Sequence, residues 1–335
     1  MYFSEQSIGY QISLHLKIGS CQADLEQFEA SISSYRKALE IYEKFEKFFD
    51  DQNETIISRG ANGAIMHNMA TSYEKLNNLK KAIEWYKKSL DKMQKRKDSP
   101  AKNYDIAMTL NSIGNCYQEL GEFQKALDEY YEKAREKLQG DNKDTKRLNA
   151  WLFNNEGLCH YGLGHNEKAL DAYENALASQ KQINASAKDI AQILNNIANV
   201  FSIEGEHIEA IEKYKESLEN GREFFGQDAK TKDIAGYLHN IGKEYLFIKD
   251  YQEAGKWLRE ALSMKQSIYR GKTHPDTSST LFLIGFNYRE QGDLDKAKNY
   301  LKQAHDMILT CEGNDGLKSI IKRILDEVEE KLRKN

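Results

Sequence analysis

The stretch IGNCYQELGEFQKAL, residues 113–127, places two glycines seven residues apart in a segment that otherwise reads as helix. Glycine costs roughly 1 kcal/mol relative to alanine inside a helix, so Gly114 needs a compensating contact. The stretch recurs along the chain. Aligned on Gly114, related segments centre on Gly19, Ala70, Gly157, Ala198, Gly242 and Gly285, at spacings of 51, 44, 43, 41, 44 and 43 residues. Seven residues past each anchor stand Glu26, Asn77, Gly121, Gly164, Gly205, Lys249 and Gly292. Small residues follow at Ser31, Ala82, Ala126, Ala169, Ala210, Ala254 and Ala297, with Tyr35, Tyr86, Tyr130, Tyr173, Tyr214, Leu258 and Leu301 four places beyond. Three residues after the anchors lie Gln22, Tyr73, Tyr117, His160, Phe201, Tyr245 and Tyr288.

Such a register predicts two closely crossing helices per repeat. Gly or Ala at the anchor and Ala in the second helix remove bulk where the helices meet, and the aromatics fill the space beside it. The second glycine ends the first helix in the left-handed conformation that costs glycine least. Asn77 can adopt it; Glu26 and Lys249 fit less well, so those two turns are expected to differ.

This pattern resembles the tetratricopeptide repeat over nearly the whole chain. The period exceeds that family's usual repeat of about 34 residues and is similar to the roughly 42-residue subtype of kinesin light chains. The segment HPDTSSTLFLIGFNYREQGDLDKAKNYLKQA, 274–304, carries that likeness most clearly. LNSIGNCYQELGEF also looks like repeats of mitotic-spindle adaptors that bind G-protein regulators. The resemblance implies an all-α fold: an α-solenoid of about seven helical hairpins in a right-handed superhelix. The array is expected over residues 1–310, with a capping helix over 316–334. That last segment puts Leu317, Ile320, Ile321, Ile324, Leu325, Val328 and Leu332 on one face.

Bulk properties agree. Among 335 residues, 30% are charged and 40% hydrophobic, and the net charge is −4, which offers no general attraction to nucleic acid or anionic membranes. No apolar run is long enough for a membrane span, and the start lacks the layout of a signal peptide. A reducing, cytoplasmic location is the expectation. The two prolines follow Ser99 and His274 at the head of helix-compatible runs, the pattern of an N-cap followed by Pro in the first turn.

No motif argues for catalysis, and neither a cofactor nor a metal site is expected. The four cysteines form no C-x-x-C pair, and Cys21, Cys116 and Cys159 share one repeat position, two past the anchor. They read as small buried packing residues. The eight histidines contain no H-E-x-x-H, and no phosphate-binding or nucleophile-elbow pattern occurs.

Asparagine is the informative residue. In tetratricopeptide arrays the places three and two before the anchor, and one after it, face the concave groove. Here they hold Asn68, Asn111, Asn115, Asn154, Asn155, Asn195, Asn196, Asn199 and Asn240. An amide offers a donor and an acceptor to a peptide backbone; the competing role is tying neighbouring helices together. Trp151, His239, Phe282 and Phe286 give the same groove an apolar and aromatic wall. The three-before places carry no Lys or Arg and the two-before places only Lys17, so the chaperone carboxylate clamp of some family members is not expected.

The expected function is a non-catalytic scaffold that binds a peptide segment of a protein partner in the groove. An alternative is a peptide-sensing regulator that changes superhelical shape on ligand binding. A third, an RNA-binding helical repeat, has only short basic clusters behind it.

Overall fold

The computed structural model describes residues 5–45, 61–97, 99–184 and 186–334; these hold fifteen helices and no strand. They group into two compact units, residues 1–179 and 180–335. The first unit contains α1 (Glu5–Asp24), α2 (Phe28–Phe45), α3 (Ala61–Lys75), α4 (Leu79–Gln94) and α5 (Pro100–Glu119). Helix α6 follows in three consecutive pieces, Phe123–Lys125, a π-helical stretch Ala126–Tyr131, and Glu132–Lys137. Then come α7 (Lys143–Gly162) and α8 (Asn166–Gln182). The second unit contains α9 (Ala187–Glu204), α10 (His207–Phe225), α11 (Lys232–Phe247), α12 (Tyr251–Ile268), α13 (Pro275–Glu290), α14 (Leu294–Leu309) and α15 (Asp315–Lys334).

Each hairpin turns the same way. At all seven second-glycine positions the backbone is left-handed: φ is 76° at Gly121, 58° at Glu26 and 60° at Lys249. Glu26 and Lys249 thus make the same turn as the glycines, against expectation. Two hydrogen bonds hold it. In the sixth repeat Lys249 N–H donates to Leu246 O at 3.1 Å, and Asp250 N–H to Tyr245 O at 2.9 Å. This is the Schellman closure, and its bonds recur at Glu26–Gln27 and Gly121–Glu122. The next residue often opens the second helix as its cap; the Asn78, Asp250 and Asp293 side chains accept from the backbone N–H three residues on. Both proline sites behave as expected, with Ser99 and His274 as caps and Pro in the first turn.

The anchor glycines are where the paired helices touch. A Cβ on Gly114 would lie 2.4 Å from the Tyr131 ring, and one on Gly157 2.5 Å from Tyr173. On Gly242 it would lie 2.6 Å from Leu258. The helix penalty of Gly114 is therefore offset by a ring packed on bare backbone. In the third repeat the ring belongs to Tyr131, not to Tyr130 as the spacing implies. The π-helical stretch absorbs one extra residue and turns Tyr131 into the slot. Tyr130 is displaced onto Tyr117, with ring centroids 5.1 Å apart.

Tyr86, Tyr131, Tyr173 and Tyr214 are among the largest fully buried side chains. Helix α15 buries Ile321, Ile324, Leu325 and Val328 against α13 and α14. Ile320, expected on that face, is 44% exposed. Cys116 and Cys159 are buried, whereas Cys21, assigned the same packing role, is exposed.

Candidate functional site

First helices of successive hairpins touch within each unit, α3 with α5, α5 with α7 and α11 with α13. Their shared face carries the asparagines, and the structure gives most of these a partner. In the first unit Asn155 Nδ2 donates to Asn111 Oδ1 at 3.0 Å and to Asn115 Oδ1 at 2.9 Å. Asn115 Oδ1 also accepts from Tyr131 Oη at 2.9 Å. One amide thereby joins α7 to α5. The second unit repeats the device: Asn240 Nδ2 donates to Asn195 Oδ1 at 3.3 Å, and Asn199 Oδ1 accepts from Tyr214 Oη at 2.5 Å. Asn154 and Asn196 are engaged as well. Asn68 is half-buried and Trp151 is 37% exposed. The amides therefore tie helices together, and their free polarity is less than the sequence suggests.

His67 and His239 occupy one repeat position and make one contact. His67 Nδ1 lies 3.1 Å from Thr109 Oγ1, and His239 Nδ1 lies 3.0 Å from Thr280 Oγ1. Each threonine hydroxyl donates to a carbonyl four residues back, Asp105 O or Asp276 O. Its oxygen is left as the acceptor, so Nδ1 carries the imidazole proton. Burial pushes both rings down, His67 to about 4 and His239 to about 3, and both are neutral at pH 7.

Phe282 lies in a cleft of about 350 Å³ within the second unit, lined by Leu246, Phe247, Tyr251, Leu283 and Phe286 with Lys243, Lys249 and Glu290. Phe247 is 58% exposed and stacks on His207, centroids 4.6 Å apart. His207 Nδ1 in turn meets Glu244 at 2.7 Å. Glu244 is fully buried, accepting from Ser202 Oγ at 2.7 Å and pairing with Lys243 Nζ at 3.1 Å. The sequence reading passed over this cluster. A signal existed: Glu244 stands two past its anchor, where other repeats carry the uncharged Cys, Ser, Val or Asn.

Among the described residues no group of His, Cys, Asp and Glu is arranged to hold a metal. Burial pushes the Cys159 thiol up to about 12 and raises Cys116 further, which keeps both protonated and inert. No described helix is long and apolar enough to cross a membrane.

Comparison with known families agrees with this geometry. A tetratricopeptide repeat model matches residues 103–182, 189–267 and 233–309, more than half of the chain, and a second one matches 12–45. The chain is a tetratricopeptide repeat protein. A domain of unknown function also matches residues 30–112 of these repeats. No curated protein matches the sequence.

Among solved structures the tetratricopeptide chain is similar to BtubC (BKLC) from P. vanneervenii, 23% identical with a TM-score of 0.60, covering 70% of this chain and 92% of that one. It is also similar to the apo quorum sensor NprR from B. thuringiensis, 16% identical with a TM-score of 0.66, covering 89% and 76%. A Rap protein complexed with Competence and Sporulation Factor is 15% identical with a TM-score of 0.57, covering 97% and 87%. What is shared at these identities is the fold.

Proposed function

We propose that this chain is a non-catalytic interaction module whose first-helix face binds a peptide segment of a protein partner. The observation that carries the reading is the aromatic cleft of Phe247, Phe282 and Phe286 between α11 and α13. It is a concave apolar pocket of the size that holds a side chain, rimmed by charge, as recognition sites are. The asparagines of the first-helix faces contribute as well. Asn155 has committed both N–H groups to Asn111 and Asn115, so it would act toward a ligand through its carbonyl oxygen. Asn68, Asn154 and Trp151 in the first unit and Asn196 in the second add polar and aromatic surface to the first-helix faces of their own units. The long repeat spacing supports a kinesin-light-chain-like adaptor role, and the inert buried thiols suit a cytoplasmic setting.

A second reading, a peptide-sensing regulator, is favoured by the fold likeness to a quorum sensor and to a Rap protein bound to its factor. In that case ligand binding would slow hydrogen exchange in helices remote from the cleft; a passive scaffold would show protection at the cleft alone.

The test is selection of binders from a random peptide library, followed by fluorescence anisotropy. Phe286→Ala is expected to weaken a selected peptide at least tenfold, and Ile208→Ala, exposed outside the cleft, to leave it unchanged. A library that yields no binder, or binders indifferent to Phe286→Ala, would sink the reading.

A further inference from the structure

A second, more polar pocket of about 220 Å³ lies where α11, α12 and α13 meet, lined by Lys232, Ala235, Gly236, His239, Lys265, Ile268, Tyr269, Asp276 and Ser279. Its unusual member is Lys265. This side chain is only 7% exposed, and its ammonium donates to Asp276 O at 3.2 Å and Thr280 Oγ1 at 3.0 Å. Both partners are uncharged oxygens. Among the described residues no carboxylate oxygen lies within ion-pair distance of it; the Asp276 carboxylate, which accepts from Tyr269 Oη at 2.7 Å and meets His274 Nδ1 at 3.5 Å, attracts it only from farther off. An ammonium has three donors, and the third has no counterpart.

The repeat itself shows that packing does not demand a lysine there. Lys265 stands 23 residues past its anchor, the place held by Tyr42, Met93, Gln180, Gly221 and Ile308 in other repeats, all buried and none of them charged; in the third repeat the π-helical residue moves the place from Lys137 to Leu138. The second and third repeats are a direct control. They carry the same His67–Thr109 contact as His239–Thr280, and Thr109 Oγ1 meets Met93 Sδ at 3.6 Å where Thr280 meets an ammonium. A cation thus replaces a thioether in an unchanged frame. Burying a charge without a paired counter-ion is costly, and desolvation, only partly offset by the more distant Asp276 carboxylate, lowers the lysine to about 8. The pocket carries two ammonium groups, Lys232 and Lys265, against one carboxylate, with His239 neutral.

We propose that this pocket receives the side-chain carboxylate of a Glu or Asp in the bound peptide, held by Lys265. An acidic side chain suits the lining: its methylenes would lie along Ala235, Ile268 and the Tyr269 ring while its carboxylate meets the ammonium. From Asp276 and Ser279 in this pocket to Phe282 and Phe286 in the aromatic cleft is roughly one to two turns of α13. On α11 the offset is somewhat larger, so the two sites are about 10–15 Å apart. An extended peptide covers that in three to four residues. The ligand is therefore an acidic residue and a bulky apolar residue three or four positions apart, which deepens the peptide-binding reading above and rests on it.

The test begins with the pocket alone. The Lys265 side-chain resonance, assigned by its loss in Lys265→Met, is followed by NMR during titration with N-acetylglutamate α-amide, N-acetylglutamine amide and N-acetylglycine. The glutamate probe is expected to shift the resonance and raise its titration midpoint, with the glutamine probe silent and N-acetylglycine weaker. No shift with the glutamate probe, an equal shift with the glutamine probe, or a stronger one with N-acetylglycine overturns the assignment. The neighbouring titratable groups, Lys232, His239, Tyr269 and Asp276 with Lys243 and His274 beside them, are present in every titration and cancel between probes. Peptide selection on wild type and Lys265→Met gives the second arm. Acidic residues should be enriched only with wild type, and a selected peptide should bind Lys265→Met at least tenfold more weakly; no such enrichment overturns the proposal. A library without binders sinks the peptide reading, whereas the glutamate probe judges the pocket separately. Met93 already fills the equivalent place, so Lys265→Met is expected to fold, as a thermal melt verifies.

Discussion

Gly114 meets the Tyr131 ring closely enough that even a methyl group has no room. Alanine would gain about 1 kcal/mol of helix propensity, while overpacking a buried contact costs typically 1–3 kcal/mol. Tyr131 is fully buried and cannot swing away, so the clash wins. Gly114→Ala is expected to lower the melting temperature, which a thermal unfolding scan measures. The opposite holds at Lys249, whose φ of 60° costs a non-glycine residue roughly 1 kcal/mol. Lys249→Gly is expected to raise stability by about that amount in urea unfolding. Asn155→Ala would remove the amide that donates to Asn111 Oδ1 and leave Asn115 Oδ1 with Tyr131 Oη alone, and should cost about 1–2 kcal/mol.

The paired histidines add a pH dependence. Both have folded pKa values below the ordinary 6.5, about 4 for His67 and about 3 for His239. Between those values and 6.5 the unfolded chain binds more protons, so their stabilising share is complete above 6.5 and is lost as pH falls toward 4 and 3. At pH 5 the loss is on the order of 2 kcal/mol for each ring. The double variant His67→Gln/His239→Gln should therefore lose less melting temperature than wild type between pH 7 and 5. Parallel curves would show that these rings do not titrate as described.

At the scale of the helix, the π-helical stretch of α6 carries the clearest lesson. Tyr130 and Tyr131 are adjacent and chemically identical, so repeat spacing alone selects Tyr130, the residue that matches Tyr86 and Tyr173. Only the helix geometry reveals the extra residue and hands the slot to Tyr131. Deleting Tyr130 should return the stretch to α-helix while Tyr131 and everything after it stay in place. The deletion is expected to fold with near-native helicity by circular dichroism, losing only the Tyr117 stack. Deleting Ala304 in α14, where no π turn can absorb the change, should unfold its hairpin. The uniform turns at Glu26 and Lys249 were illegible for a related reason. Local preference disfavours them by roughly 1 kcal/mol, and two closure hydrogen bonds plus hairpin packing override so small a term.

For the molecule as a whole, stacked repeats contact chiefly their neighbours, so removing a terminal helix exposes the face it covered. Truncation before Asp315 would uncover Leu301 and Ile308, both fully buried. It should lower the melting temperature and bring binding of a hydrophobic dye.

Helical class, the crossing points and, Tyr130 excepted, the core tyrosines were legible in the residues, because each depends on short-range spacing that repeats seven times. The asparagine positions were legible too, but not their partners. Asn155 reaches Asn111 across 44 residues, and no local pattern says which way an amide points. The same distance in sequence hides the Lys265 pocket, assembled from three helices, although a lysine where other repeats bury the uncharged Tyr42, Met93, Gln180, Gly221 and Ile308 marks the place. Periodicity decides which residues are inside, since burial follows the turn of each helix. Packing between helices decides which polar groups are satisfied there and which still lack a partner, since that is settled only when distant segments meet.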